Sequence, residues 1–176
     1  MKKSELHKIL KYSICESSRL IKDSVNLIPQ IEKTIHIITK CIRKGNKVIL
    51  FGNGGSAADA QHIAAELIGK FKINRSSYPA IALTTDSSVI TSLSNDYSFD
   101  IVFSRQCESL VQKGDVVIGI STSGNSVNVK KGLEIAKKKG AVTIGLLGSK
   151  GGTIKKLVDI SIIVNSSSTP RIQEVH

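Results

Sequence analysis

His62 and Glu66 stand four residues apart in the run GGSAADAQHIAAELIG, so a helix there puts both on one face, about one turn apart. An imidazole and a carboxylate at that spacing can share one metal ion, or the carboxylate alone can shuttle a proton. By itself such a pair is more often a surface contact. Its surroundings shift the balance, because Gly52-Asn53-Gly54-Gly55-Ser56 closes the apolar run KVILF and leads straight into this helix. Glycines let the backbone approach a ligand, and a helix N-terminus favours an anion. The string Gly52-x-Gly54-x-x-Ala57 also matches a dinucleotide fingerprint. That fingerprint needs an acidic residue about twenty residues on, where this chain has Phe71-Lys72-Ile73, so nicotinamide chemistry is disfavoured.

A second loop, Ser121-Thr122-Ser123-Gly124-Asn125-Ser126, follows the apolar run DVVIGI and precedes a helical pattern. Hydroxyls and helix-terminal N–H groups suit a phosphate monoester, whose oxygens each accept several hydrogen bonds. An N-cap with a turn is the plainer alternative. No lysine follows as in a Walker loop, which argues against ATP. A third polar group, Ser94-Asn95-Asp96, lies between the second and third strand patterns and suits either sugar hydroxyls or a helix cap.

These loops need a scaffold that brings them together. Residues 4–44 carry apolar positions at helical spacing, interrupted at Pro29 and ended at Lys44-Gly45-Asn46, and predict an N-terminal helical pair ahead of a sheet. Such an appendage commonly packs against a sister subunit; the alternative is that it simply covers the core. From Lys47 onward strands alternate with helices: strands at 47–51, 79–83, 115–121, 141–148 and 160–165; helices at 57–71, 99–112, 126–139 and 151–157; and a short helix and loop over 87–96, with Ser94-Asn95-Asp96 in the loop. The final residues, Arg171–His176, begin one more helix. This alternation implies right-handed βαβ crossovers and a five-stranded parallel sheet, whose ligands bind outside the carboxyl ends of the strands. The whole chain, 1–176, reads as a single α/β domain: helices over 1–46 that would suit an oligomer interface, and a core over 47–176 whose loops suit a phosphate and sugar hydroxyls.

Composition agrees. Aromatics are 4% of the 176 residues and Trp is absent, so the core must be built from Ile, Val, Leu and Ala, the usual content of a buried parallel sheet. The net charge of +11 raises the question of nucleic acid. However, residues 1–46 hold ten Lys/Arg against four Asp/Glu and the remainder fifteen against ten, so the excess is spread along the chain. The one dense run, Lys137–Lys139, ends a helix where cations suit the dipole. Neither a nucleic-acid nor a membrane partner is expected. Cys15, Cys41 and Cys107 are widely spaced and read as free thiols. With no apolar run of transmembrane length and no secretory core near the N-terminus, a cytoplasmic location is expected.

Taken together, GNGGSAADAQHIAAEL, ALTTD, SNDYSFDIVFSRQ, GISTSGNSVNV and RIQEVH resemble the sedoheptulose 7-phosphate isomerases, or phosphoheptose isomerases, of the sugar isomerase (SIS) domain superfamily. The resemblance runs from the N-terminal helices to His176. It implies a doubly wound α/β subunit of the SIS fold in a homotetramer, with one zinc per subunit. It implies conversion of D-sedoheptulose 7-phosphate to D-glycero-D-manno-heptose 7-phosphate through an enediol, the first step towards the nucleotide-activated heptose of lipopolysaccharide or capsule.

Residue by residue, the resemblance assigns Ser121, Thr122, Ser123 and Ser126 to the phosphate. It assigns Asn53, Gly54, Gly55, Asn95 and Asp96 to the sugar, with Ser56 completing the glycine loop. His62, Glu66 and Gln173 match zinc ligands, and Glu66 and Gln173 also meet the substrate. Glu66 is the expected catalytic base. The family's fourth ligand and second acid–base group is a histidine eight residues after the position of Gln173, which lies five beyond His176; His176 is a separate histidine of the motif. Lys70 stands where many relatives carry arginine. The competing expectation is a non-catalytic SIS protein that binds a phosphosugar or a protein partner, of the type that associates with a replication initiator.

Overall fold

The computed structural model describes residues 3–176. Helix α1 (Lys3–Asp23) runs through a 3-10 turn (Ser24–Leu27) into α2 (Ile28–Arg43), with Pro29 in the first turn of α2, where its missing N–H costs nothing. There follow β1 (Val48–Gly52), α3 (Gly55–Ile68), β2 (Ala80–Ala82), α4 (Ser87–Asp96), α5 (Val102–Leu110), β3 (Val116–Ser121), α6 (Val127–Lys138), β4 (Val142–Gly148), β5 (Ile160–Val164) and α7 (Thr169–Val175). All four strand pairings are parallel and the order is β2-β1-β3-β4-β5.

Period-2 alternation sorts the strand side chains to two faces. Ile49, Phe51, Val117 and Leu147 pack with Val129 and Leu133 of α6 and with Phe103 and Cys107 of α5. Val48, Leu50, Val116, Ile118, Ile120 and Ile144 pack on the other face with Ala60 and Ala64 of α3 and Cys41 of α2. Phe51 stacks on Phe103 with centroids 4.9 Å apart. Every residue of β1 is buried, and each large apolar side chain there contributes about 2 kcal/mol by leaving water. This is the doubly wound α/β arrangement expected from the sequence.

The differences are local. The helix expected over 57–71 starts at Gly55 and stops at Ile68, because Gly69 turns to an extended backbone and returns its N–H to the Ala65 carbonyl. The helix expected over 99–112 begins as a 3-10 turn (Phe99–Ile101), with the Ser98 hydroxyl accepting from the Asp100 N–H. The helix expected over 151–157 shrinks to a 3-10 turn (Ile154–Lys156), since Gly151 and Gly152 take positive φ. Ser94-Asn95-Asp96 is not a loop but the last turn of α4.

The N-terminal helices are not a hairpin. Helix α1 packs mainly on α7, whereas α2 lies on β5, β1 and β3. Leu6, Ile9, Leu10 and Ile14 of α1 and Ile31 and Ile35 of α2 remain exposed. The three cysteines are free thiols, two of them buried. Burial pushes the Cys107 thiol up to about 12, so it stays protonated. Lys137 and Lys139 are engaged locally, by Asp159 and by the Glu108 carbonyl. Among the described residues no helix is long and apolar enough to cross a membrane.

Candidate functional site

In an open sheet of order 2-1-3-4-5 the chain leaves β1 towards one face and β3 towards the other, opening a crevice between them. Gly52, the last residue of β1, pairs with Ile120, next to the last residue of β3. The glycine loop leads from β1 to α3 on one face, and the serine loop leads from β3 to α6 on the other. Both loops singled out in the sequence therefore flank the same switch point.

The serine loop is built for an anion. Ser121 Oγ lies 2.9 Å from Ser126 Oγ and 3.5 Å from Ser123 Oγ, so three hydroxyls converge at the start of α6. Ser126 occupies the N-cap position, yet its side chain makes no bond to the first turn. Its hydroxyl and the helix N-terminus are thus open to a ligand. Thr122 is half-buried at the loop's turn. Gly124 adopts φ +67°, and a Cβ there would stand 2.3 Å from the Gly151 carbonyl carbon. The Gly151-Gly152 segment therefore backs the serine loop, and the Asn125 Oδ1 accepts from the Thr153 N–H at 2.9 Å.

Across the crevice, Asn53 and Asn128 exchange two amide hydrogen bonds of 2.8 and 2.9 Å, tying the glycine loop to the first turn of α6. Gly54 and Gly55 are exposed and Ser56 is buried in the first turn of α3. One turn or more along α3, His62 Nε2 lies 3.4 Å from Glu66 Oε1, with side chains 76% and 43% exposed. The exposure leaves both heads free to meet a ligand.

Helix α7 brings Gln173 to this wall. A Cβ on Gly55 would stand 1.7 Å from Gln173 Nε2, so the Gln173 amide lies directly against the Gly55 backbone at the N-terminus of α3. Asp59, His62, Glu66, Gln173 and His176 line one open cleft of about 640 Å³, together with Phe71, Ile73, Arg75 and Tyr78. Arg75 stacks on Tyr78 at 4.0 Å and donates to the Glu66 and Leu67 carbonyls, which steadies the C-terminal end of α3 under Glu66.

Asp59 was absent from the residues read out of the sequence. It lies three residues before His62, on the same helical face, so the spacing carried the signal. Its Oδ2 is buried without a hydrogen-bond partner. Burial pushes its carboxyl above the usual carboxylate range, against the pull of His176, the Gln173 amide and His62. His176 lines the same cleft, but its Nε2 is turned back onto the Leu147 carbonyl at 3.2 Å and its Nδ1 is buried without a partner. Burial lowers its pKa, opposed by that carbonyl and by Asp59.

His62, Glu66 and Gln173 present an imidazole, a carboxylate and an amide, a donor set that suits zinc. The unpartnered Asp59 oxygen on the same wall adds negative charge that a cation would offset. Among the described residues, no three His, Cys, Asp or Glu side chains converge as a cage, and the third expected donor is the amide. Asn95 and Asp96 stand apart from this cleft, exposed at the end of α4, with the Asn95 amide donating to Asp96 Oδ1 at 2.9 Å. Lys70 is exposed just past α3 and does not line the cleft.

The chain is similar to known proteins. The SIS domain family matches residues 15–148. The phosphoheptose isomerase of Pelobacter propionicus is 58% identical over 139 residues, covering 79% of this chain and 74% of that one. That of Nitratiruptor sp. is 61% identical over 140 residues, covering 80% and 75%. The solved structure of the phosphoheptose isomerase from Neisseria gonorrhoeae superposes with a TM-score of 0.90 at 39% identity, covering 96% of this chain and 92% of that one. With the serine loop, the glycine loop and the α3 histidine–glutamate pair at one switch point, and relatives matched over most of their length, the chain belongs to the SIS-domain family, in its phosphoheptose isomerase branch.

Proposed function

We propose that the protein converts D-sedoheptulose 7-phosphate to D-glycero-D-manno-heptose 7-phosphate. The observation that carries this reading is the placing of the serine hydroxyl cluster and of the α3 helix bearing Glu66 on opposite flanks of the β1/β3 crevice. A sugar phosphate needs both: a cradle for its phosphate, and an acid–base group for its carbonyl end.

Ser121, Thr122, Ser123 and Ser126 hold the phosphate at the N-terminus of α6, and this distant binding energy orients the reacting carbons. Glu66 takes the proton from C1 of the ketose and returns it at C2, while the O1 hydroxyl proton passes to O2 through the enediol, so the oxidation of one carbon balances the reduction of its neighbour. The Gln173 amide donates to the oxygen that carries charge in the enediolate. Asn53 stiffens the glycine loop through Asn128, Gly54 and Gly55 are exposed where their backbone can meet the sugar, and Ser56 holds the turn by donating its N–H to the Asn53 carbonyl. Asn95 and Asp96, exposed at the end of α4 and outside the cleft that holds Glu66, are assigned to sugar hydroxyls by the resemblance alone. His62, Glu66 and Gln173 would hold one zinc ion per subunit, whose charge lowers the cost of the enediolate when bound.

The apolar residues left exposed on α1 and α2 support a homotetramer with these helices in its interfaces. A cytoplasmic location and a role in supplying heptose for nucleotide activation and a surface polysaccharide complete the reading. The relatives at 58% and 61% identity favour an enzyme over a non-catalytic binder.

The test is to incubate the protein with sedoheptulose 7-phosphate and follow heptose 7-phosphate by NMR, before and after chelation and with zinc restored. Turnover that falls on chelation and returns with zinc is expected. Binding of the sugar phosphate without turnover in any metal state would favour the binder.

A further inference from the structure

Helix α7 (Thr169–Val175) carries Gln173 to the cleft, so whatever seats this helix also places the amide. Its inner side is seated by Ile172, which is 1% exposed and packs on Gly148, where a Cβ would stand 2.4 Å from Ile172 Cδ1. Its outer side is held by the N-terminal helix. Arg171 and Glu174 pair along α7, with Arg171 Nη1 donating to Glu174 Oε2 at 2.7 Å. Two adjacent residues of α1 engage the two members of this pair. Glu16 Oε2 lies 3.9 Å from Arg171 Nε, and the Ser17 hydroxyl donates to Glu174 Oε2. The Glu16 and Arg171 side chains are only 22% and 19% exposed, and of the ion pairs among the described residues only Lys47–Asp115 is as withdrawn from water. Pairs so withdrawn are screened less than surface pairs and fix geometry better.

Gln173 lies between Arg171 and Glu174 in sequence. A rotation of α7 that broke the α1 contacts would therefore swing its amide away from Gly55 and Glu66. We infer that Glu16 and Ser17 are positioning residues for the isomerisation: through Arg171 and Glu174 they lock α7 in the register that holds the Gln173 amide at the reacting end of the substrate. The N-terminal helix is then part of the catalytic apparatus as well as an assembly surface. Neither residue touches substrate. The inference rests on the isomerase reading for its kinetic consequence, but not for its structural one.

The experiment compares the 176-residue protein with Ser17→Ala and with the Glu16→Gln/Ser17→Ala double variant. Three quantities are read: turnover of sedoheptulose 7-phosphate, the inhibition constant of inorganic phosphate, and hydrogen exchange of residues 169–176. The double variant is expected to exchange α7 amides at least tenfold faster and to lose about tenfold in kcat. Phosphate inhibition should change less than twofold, because the serine loop does not depend on α1. Ser17→Thr, which keeps the hydroxyl, should restore most of the rate lost in Ser17→Ala. Unchanged α7 exchange would overturn the inference. So would faster exchange with kcat within twofold of wild type, or a parallel loss of phosphate binding, which would signal general unfolding. If the wild type itself shows no turnover, the isomerase reading fails, and the exchange data alone decide whether α1 locks α7.

Discussion

Gln173 and Gly55 are 118 positions apart in the chain, yet a methyl group on the glycine would stand 1.7 Å from the glutamine's amide nitrogen. The contact ties α7 to the start of α3, and it makes glycine the only residue that leaves the amide where it is. Gly55→Ala is therefore expected to displace Gln173 while leaving the core intact. A shift of about 1 Å at a reacting group can cost about a hundredfold in rate, so kcat should fall by one to two orders of magnitude. Thermal melting alongside steady-state kinetics checks that the loss is in the site and not in the fold.

Glu66 is half-buried at the cleft, with its backbone carbonyl held by Arg75. As the general base it should supply about two to four orders of magnitude of rate. Glu66→Gln keeps the shape and removes the proton acceptor. We expect kcat to drop at least about a hundredfold, with competitive inhibition by inorganic phosphate unchanged. Equal losses in both would instead assign Glu66 to binding.

Gly124 combines φ +67° with backbone contact to Gly151 and Gly152, whose atoms cannot rotate away as a side chain could. Gly124→Ala is expected to cost about 2 kcal/mol in stability through left-handed strain and the clash together. For a chain of this length that lowers the Tm by roughly 4–8 °C. The same shift moves the Ser121, Ser123 and Ser126 hydroxyls apart, so KM should rise while kcat changes little. Substrate-concentration series on the folded variant test this.

Asp115 anchors the opposite end of the sheet. Its Oδ2 lies 2.8 Å from Lys47 Nζ and accepts the Gln112 N–H at 2.8 Å, and its Oδ1 accepts the Lys47 N–H at 3.1 Å. Burial alone would raise its pKa, but the Lys47 and backbone N–H bonds outweigh it and hold the carboxyl below the ordinary range. A depressed carboxylate contributes stability that is complete above its unfolded pKa of about 3.9 and fades as the pH falls through the native value. Asp115→Ala should therefore cost about 3 kcal/mol near pH 7, mostly by leaving Lys47 unpaired. The gap from wild type should narrow as melts are repeated towards pH 3.

Much of the site was legible in local pattern. KVILF and DVVIGI mark their strands by continuous apolar runs, and the loops after them are marked by glycine and by hydroxyls. His62 and Glu66 declare a shared face by their spacing alone. Gly151–Leu157 shows the limit: it reads as a helix by composition, yet Gly151 and Gly152 take positive φ where the segment backs Gly124. Asp59 shows another, because its helical position was readable but its burial without a partner was not.

By itself, then, the sequence determined the element types, their order, the parallel sheet, and the two loops and one helical face on which chemistry could occur. Those properties are set by periodicity and turn chemistry within windows of a few residues. Tertiary structure alone decided the strand order 2-1-3-4-5, which puts both loops at one crevice. It also set the reciprocal bonds of Asn53 with Asn128, the seating of Gln173 on Gly55, and the hold of Glu16 and Ser17 on α7. Each of these joins residues far apart in the chain. Such pairs meet only when the two faces of the sheet are packed, because burial, and not local propensity, selects which distant side chains become neighbours.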